Sequence, residues 1–418
     1  MWLIKPACAD LDLYTFTHAD NIFLQRFSIK RLPPLPPAPD NRVADNVNAA
    51  KLGKAIFFDK RFSANGAISC AVCHQAQRYF SDGLAQSVGL ATTRRNAPTL
   101  LGAAYGPWKN WDGSKDSLWS QALGPLEGAD EHGLSRLDVV KKIIRLYREE
   151  YESVFGEIDQ ASLLLNLKSP ASSVGNKQSI ENWQQLSSDD QFKINQHFSN
   201  VGKAIMAFER RLPLPESRFD QFLQALQNHH NNKSVLKKIL SLSELRGLRL
   251  FMGRARCASC HNGPLFSNVE FHNVGATEPD ITHVDLGRYE GITQLQQDEF
   301  TCLSQWSDAQ PGQCENMQYL KKNGPELVGA FKTPSLRNVA QTGPYMQSGQ
   351  LTTLSDVVAH YNKPTPPFYD RQQHPSRPHF DIVPLNLTEQ AQGDLVAFLR
   401  TLTSVIPKNN PWWQEFEN

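Results

Sequence analysis

Two short stretches, Cys70-Ala71-Val72-Cys73-His74 and Cys257-Ala258-Ser259-Cys260-His261, repeat one order of chemistry-bearing side chains. Two thiols three positions apart, with a histidine directly after them, form the attachment pattern of a c-type haem. Each thiol adds to a porphyrin vinyl group as a thioether, and the adjacent imidazole reaches the iron. A Cys-x-x-Cys pair alone would equally suit a redox dithiol or a zinc site. A four-cysteine zinc site or two disulfides would leave His74 and His261 unexplained. Two covalent haems in one chain imply one-electron chemistry, with the cofactor carrying the difficult step.

What fills the sixth position of each iron decides between electron transfer and activation of a peroxide. No histidine lies between Gln75 and Glu131, so no nearby downstream imidazole closes the first haem. That haem is expected to be five-coordinate or water-bound, and open to peroxide. Splitting a peroxide needs a group that takes one proton and delivers it to the leaving oxygen. Glu131 is a candidate, although by spacing alone it is one acid among many and reads more readily as a solvated loop carboxylate.

The elements that must position these groups read as helices between long loops. Asn46 to Phe58 carries a helical apolar pattern (Ala50, Leu52, Ala55, Ile56) and runs into the first haem motif. Ser243 to Phe251 precedes the second motif in the same way, a weak internal repeat of a cytochrome-like unit. Leu137 to Phe155 reads as a basic amphipathic helix, with Val140, Ile143, Ile144 and Tyr147 as a core stripe. Phe198 to Arg211 is a helix stopped by Pro213 and Pro215. The last helix spans Thr388 to Leu402, with Thr388 as its cap and Leu395, Phe398 and Leu399 inward. Residues 10–40 are a Pro-rich lead-in expected to run extended over the surface. Residues 157–196 look like a polar surface insertion, and 276–330 like loop. The expected fold is mainly α, with two cytochrome c-like haem domains and long irregular loops. Residues 1–9 read as the residual end of a signal peptide and 10–41 as an N-terminal extension. The N-terminal haem domain covers 42–212 and the C-terminal one 213–418.

The 418 residues carry a formal net charge of +1, so nothing argues for nucleic acid or a membrane surface as partner. No apolar run reaches the length of about 18 residues that a membrane span needs. Ala7-Cys8-Ala9 before Asp10 has the small-x-small form of a signal-peptidase site, with cleavage expected after Ala9. Attachment of c-type haem outside the cytoplasm agrees with export to the periplasm. Of seven cysteines, four bind haem and Cys8 leaves with the signal. Cys302 and Cys314 remain, and a disulfide between them is expected in an oxidising compartment.

Several motifs together resemble the bacterial dihaem cytochrome c peroxidase and MauG superfamily over roughly residues 42–405. They are Leu52-Gly53-Lys54-Ala55-Ile56-Phe57-Phe58-Asp59-Lys60-Arg61-Phe62-Ser63 before the first haem motif, Arg95-Asn96-Ala97-Pro98-Thr99-Leu100, and Trp111-Asp112-Gly113 leading to Gln121-Ala122-Leu123-Gly124-Pro125. The second half contributes Gly263-Pro264-Leu265-Phe266, Phe271-His272-Asn273-Val274-Gly275 and Phe331-Lys332-Thr333-Pro334-Ser335-Leu336-Arg337-Asn338.

The resemblance implies roles. The haem on His74 is the high-spin, peroxide-reacting one. Glu131, ten residues after Gln121, falls where the family has its distal glutamate, with Gln121 and Pro125 beside it. Trp111 matches the tryptophan that relays electrons between the haems. Asn96, Thr342 and Pro344 match an inter-haem calcium site, a side-chain oxygen and two carbonyls being suitable ligands for a hard cation. Peroxidases of this family close the second haem with Met and MauG-type members with Tyr; Tyr361 occupies that position, with His360 and Met346 as alternatives. A phenolate donor stabilises the oxidised iron and lowers its potential relative to a thioether.

Some positions depart from the family pattern. Gln347 replaces a usual histidine, His132 follows the glutamate, and Ala255 stands where the MauG type has a surface tryptophan. Hydrogen peroxide and a redox partner protein are the expected partners, with the polar segments 157–196 and 301–325 shaping the partner surface. Three readings of the partner stay open: a protein whose side chain is modified, a small cytochrome or copper protein, or electron carriage without turnover.

Overall fold

The computed structural model describes residues 13–228, 232–276, 284–364 and 380–414. The signal-peptide reading lies outside them. Among the described residues the chain is mainly helical, with long irregular connections such as 74–117 and one two-residue strand pair. In order the helices are α1 (His18–Gln25), α2 (Val47–Phe58), α3 (Cys70–Cys73), α4 (Leu118–Glu127), α5 (Arg136–Leu146), α6 (Arg148–Phe155), α7 (Ala161–Asn166), α8 (Lys177–Gln184) and α9 (Ser188–Glu209). The second half holds α10 (Arg218–Asn228), α11 (Lys233–Ile239), α12 (Leu242–Met252), α13 (Cys257–Cys260), α14 (Arg288–Gln297), α15 (Glu315–Gln318), α16 (Leu354–Asn362) and α17 (Glu389–Arg400). β1 (Phe271–His272) pairs antiparallel with β2 (Phe331–Lys332). No described helix is long and apolar enough to cross a membrane.

The helix starts follow from side-chain caps. The Asn46 side chain accepts from the N–H groups of Asn48 and Ala49. Ser241 and Glu244 form a reciprocal capping box before α12, and Thr388 caps α17.

Each half is built on one close helix crossing, α2 on α9 and α12 on α17. A glycine makes each crossing possible. A Cβ on Gly53 would lie 1.9 Å from the Ala204 carbonyl oxygen, and one on Gly247 would lie 1.9 Å from that of Asp394. Phe57 then packs on Phe208 at 5.1 Å and Phe251 on Phe398 at 5.2 Å, between ring centroids. The duplication suggested by the two motifs is therefore repeated in the packing beneath them.

Two main hydrophobic cores result, and each half lends residues to the other. Phe300, Trp306 and Trp413 are buried in the first core with α2, α4, α5 and α9. Tyr14, Phe16, Leu24 and Phe27 are buried in the second, with α10, α12 and α17. This corrects the extended surface course expected for the lead-in: α1 forms within it, its N-terminus held by a Thr17–Asp20 capping box. The segment 157–196 is likewise no mere surface insertion. Ile158, Ala161, Leu164, Ala171, Trp183 and Ile194 join the first core, and α9 starts ten residues earlier than its apolar pattern suggests, at Ser188. The single helix expected over 137–155 breaks at Tyr147, whose hydroxyl donates to Asp59 at 2.9 Å. Within the expected loop 276–330, α14 forms, and Cys302 and Cys314 are joined by a disulfide.

Candidate functional site

Cys70, Cys73, Cys257 and Cys260 lie on the one-turn helices α3 and α13, and none is engaged in a disulfide. The histidine after each turn is held alike. His74 Nδ1 lies 3.0 Å from the Phe80 carbonyl, and His261 Nδ1 lies 2.9 Å from that of Phe266. A carbonyl only accepts, so Nδ1 carries the proton and Nε2 keeps its lone pair. Phe80 and Phe266 both adopt a left-handed backbone, φ 58° and 54°, which turns their carbonyls inward. Burial lowers the pKa of both imidazoles, that of His261 to about 4, so each ring is neutral, as an iron ligand must be. Two thiols and a neutral imidazole with a fixed tautomer suit a covalent haem at each turn.

The first turn opens on a cleft that is also lined by Gln121, Pro125 and Glu131. Helix α4 carries Gln121 and Pro125 four residues apart, hence on one face. The chain then doubles back, the His132 N–H donating to the Pro125 carbonyl at 3.1 Å, and this returns Glu131 to the cleft. A Cβ on Gly128 would lie 2.7 Å from Glu131 Oε2, so only glycine leaves space for the carboxyl there. Burial, with a smaller contribution from Asp130, pushes the Glu131 pKa up to about 7. His132 lines the same cleft, is buried, and holds its Nδ1 2.6 Å from the Phe62 carbonyl. Burial lowers its pKa too, so it stands as a neutral neighbour of the glutamate.

At the second turn, Tyr361 near the end of α16 lies close to Cys257 and Cys260, and burial raises its phenol pKa. His360 is committed elsewhere, with Nε2 2.7 Å from the Val274 carbonyl. The two rings meet edge to face, 5.6 Å between centroids.

Trp111 joins segments that serve both centres. Its indole donates to the Asn96 carbonyl at 2.9 Å, and its own carbonyl accepts from the Lys332 N–H at 2.8 Å. The Pro98 carbonyl acts on the His74 imidazole, and the Pro334 carbonyl on that of His261. Its two hydrogen-bond partners, Asn96 and Lys332, thus each stand two residues in sequence before one of those prolines. Asn96 also meets the loop that carries Thr342 and Pro344, its N–H donating to the Gln347 carbonyl at 2.8 Å. Its side-chain NH₂ donates to Leu84, which leaves the amide oxygen as an acceptor suited to a hard cation.

Other residues around Trp111 were not visible as a set in the sequence. Arg95 makes paired bonds of 2.8 and 2.9 Å to Asp285 and also binds Asp112, tying the two halves beside the indole. The Arg288 guanidinium lies 4.5 Å over Trp108 and 4.3 Å over Phe271. Glu209, the last residue of α9, lines the first cleft, and burial pushes its pKa up to about 8. Burial, reinforced by Lys332, brings Lys109 down to about 7. Only the Arg95 motif carried a signal in the sequence.

Twin Cys-x-x-Cys-His turns with carbonyl-held imidazoles, and one cleft bearing a proton-holding carboxyl, define a two-haem c-type redox protein. Residues 47–228 match the family model for di-haem cytochrome c peroxidase. The chain is 31% identical over 395 residues to the cytochrome-c peroxidase IdrP1 of Denitromonas iodatirespirans, covering 90% of this chain and 86% of that protein. It is also 31% identical over 355 residues to the methylamine utilization protein MauG of Methylorubrum extorquens, covering 84% and 77%. Among solved structures, a MauG-like protein associated with microbial copper homeostasis superposes with a TM-score of 0.60 at 26% identity, over 92% of this chain and 98% of that one. The chain belongs to the di-haem cytochrome c peroxidase family, and it is a haem peroxidase of the oxidoreductase class with haem c as cofactor.

Proposed function

We propose that this is a MauG-like peroxidase in which hydrogen peroxide meets the haem of Cys70, Cys73 and His74 while the haem of Cys257, Cys260 and His261 is closed by Tyr361. Bound haem supplies the iron that reacts with peroxide and stores the oxidising equivalents. Glu131 takes the first proton from peroxide and returns it to the departing oxygen. A pKa of about 7 keeps the carboxyl near the midpoint of its titration, where it can both accept and give. Gln121 and Pro125 shape the space in which peroxide lies, and His132 stays a neutral neighbour. Trp111 is the relay between the centres. A calcium ion on Asn96, Thr342 and Pro344 stiffens the segment that carries Trp111's acceptor. The division into haem modules over 42–212 and 213–418 belongs to the same proposal.

The observation that carries the reading is the pairing of Tyr361 with the second Cys-x-x-Cys turn while His360 is bonded to Val274. A hard phenolate at the second iron favours storage of oxidising equivalents over fast delivery of electrons. The Cys302–Cys314 disulfide supports residence in an oxidising compartment, the periplasm. The electron source is then a partner protein oxidised on a side chain. Similarity to proteins named cytochrome-c peroxidase favours a second reading, detoxification of peroxide with electrons from a small cytochrome or copper protein. Steady-state turnover with peroxide and reduced cytochrome c separates them: slow turnover is expected, and fast turnover replaces the first reading with the second.

A further inference from the structure

The proximal ligand of the first centre is held by a loop in an unfavoured conformation. Tyr79 and Phe80 both have positive φ, 57° and 58°, which a bulky side chain keeps only when its surroundings impose it. That support comes from the far end of the chain. The Trp413 indole, 3% exposed, donates to the Ala76 carbonyl at 2.9 Å. Its ring packs edge-on against Phe80 at 5.3 Å and Tyr79 at 6.2 Å. The Tyr79 hydroxyl donates to the Ser404 carbonyl at 2.7 Å, and the Ser404 N–H donates to Asn338 Oδ1 at 2.8 Å. Lys54 on α2 fixes the same tail by donating to the Pro411 carbonyl at 2.8 Å. At the second centre the Phe266 turn is braced differently, by Ser335 Oγ donating to Leu265 at 2.7 Å, by Arg337 Nε donating to Pro264 at 2.8 Å, and by Phe27, whose ring lies 5.1 Å from that of Phe266.

We infer that the tail 403–414 is a positioning element for His74: Trp413, with the Tyr79–Ser404 bond, fixes the Phe80 carbonyl against His74 Nδ1 and so sets the donor strength of the proximal imidazole at the peroxide-reacting centre. A firm Nδ1–H···O bond makes the imidazole a stronger donor and stabilises the oxidised iron. Loosening the loop weakens that bond, so the reduction potential of the first haem rises and its iron–histidine bond softens.

The inference rests on His74 as the ligand of the first haem, and the experiment separates the two. Holo-protein carrying Trp413→Phe, which keeps a ring and loses the N–H, is compared with Trp413→Ala, Tyr79→Phe and His74→Gly. Potentiometry and resonance Raman of the reduced protein follow each haem. In the tail and Tyr79 variants the expected result is two haems per chain, an upward shift of the first potential, a lower iron–histidine stretching frequency, and a second haem unchanged. Should Trp413→Ala not fold, Trp413→Phe and Tyr79→Phe decide. First-haem signatures identical to wild type in those variants, or equal shifts of both haems, overturn the inference. A first-haem spectrum unaltered in His74→Gly overturns instead the ligand assignment beneath it.

Discussion

Trp111 and Lys332 are joined backbone to backbone, the lysine N–H donating to the tryptophan carbonyl at 2.8 Å. Lys332 lies on β2, two residues before Pro334, while the indole of Trp111 bonds Asn96, two residues before Pro98; burial lowers the pKa of His261 and His74, and the carbonyls of Pro334 and Pro98 respectively act to raise it. Trp111 therefore bridges the two segments, by its side chain to one and by its backbone to the other. Trp111→Phe keeps the packing and deletes the indole N–H. Peroxide is expected to change the spectrum of the first haem in this variant and leave the second near its resting state. Simultaneous changes at both haems, as fast as in wild type, would remove Trp111 from the relay.

Glu131→Gln preserves shape and removes the titrating proton. Loss of a general acid–base group costs about 10²–10⁴-fold in rate. Stopped-flow mixing with peroxide is expected to show a slowing of that order, with two haems per chain retained.

The pH profile carries its own sign. Burial raises the Glu131 pKa from 4.5 to about 7, so the carboxyl is neutral below that pH and gains base strength above it. The rate of peroxide reaction is expected to climb as pH rises through about 7 and to flatten beyond, and Glu131→Gln should lack this limb. The stability contribution runs the opposite way: the folded form holds a proton that the unfolded chain has lost, so this group weakens the fold as pH rises from 4.5 to about 7.

At the second centre, Tyr361→Met exchanges a phenolate donor for a thioether. One low-spin haem is expected to change its spectrum and to gain a higher potential, with the first haem unchanged. An unaltered spectrum would show that Tyr361 is no ligand.

Two glycines and a disulfide supply a stability test. Gly53→Ala forces a methyl into the Ala204 carbonyl, and Gly247→Ala into that of Asp394. Overpacking of this kind costs about 1–3 kcal/mol, occasionally more. Each variant is expected to disturb the haem of its own half first. Replacing Cys302 and Cys314 by serine opens a loop whose ends are 12 positions apart, a loss of about 3 kcal/mol on the chain-entropy account, read by denaturant titration.

The chemistry was legible because it is local. Cys-x-x-Cys-His encodes both thiols and the imidazole in five residues, and the caps Asn46 and Thr388 sit beside the helices they start. The disulfide followed from cysteine arithmetic in the same way. Long-range packing was not legible. Trp183 and Ile194 sit among polar neighbours, so a segment that is buried reads as surface. Tyr14 and Phe16 find their partners about 200 residues away, where no periodicity can announce them. The positive φ of Phe80 and Phe266 was hidden for a related reason: neither is a glycine, and only the fold imposes the conformation. Glu131 lies between these cases: by spacing it was one acid among many, the resemblance singled it out, and its raised pKa is a product of the doubled-back chain.

The exchange of residues between the two cores bears on how the protein is made. A ribosome delivers Cys70, Cys73 and His74 long before Phe300, Trp306 and Trp413, yet all six belong to one side of the molecule. The first half to be synthesised is thus completed by aromatic residues that come much later in the chain. A polypeptide truncated just before Trp413 would keep both attachment motifs while leaving the first core without one of its buried aromatic rings.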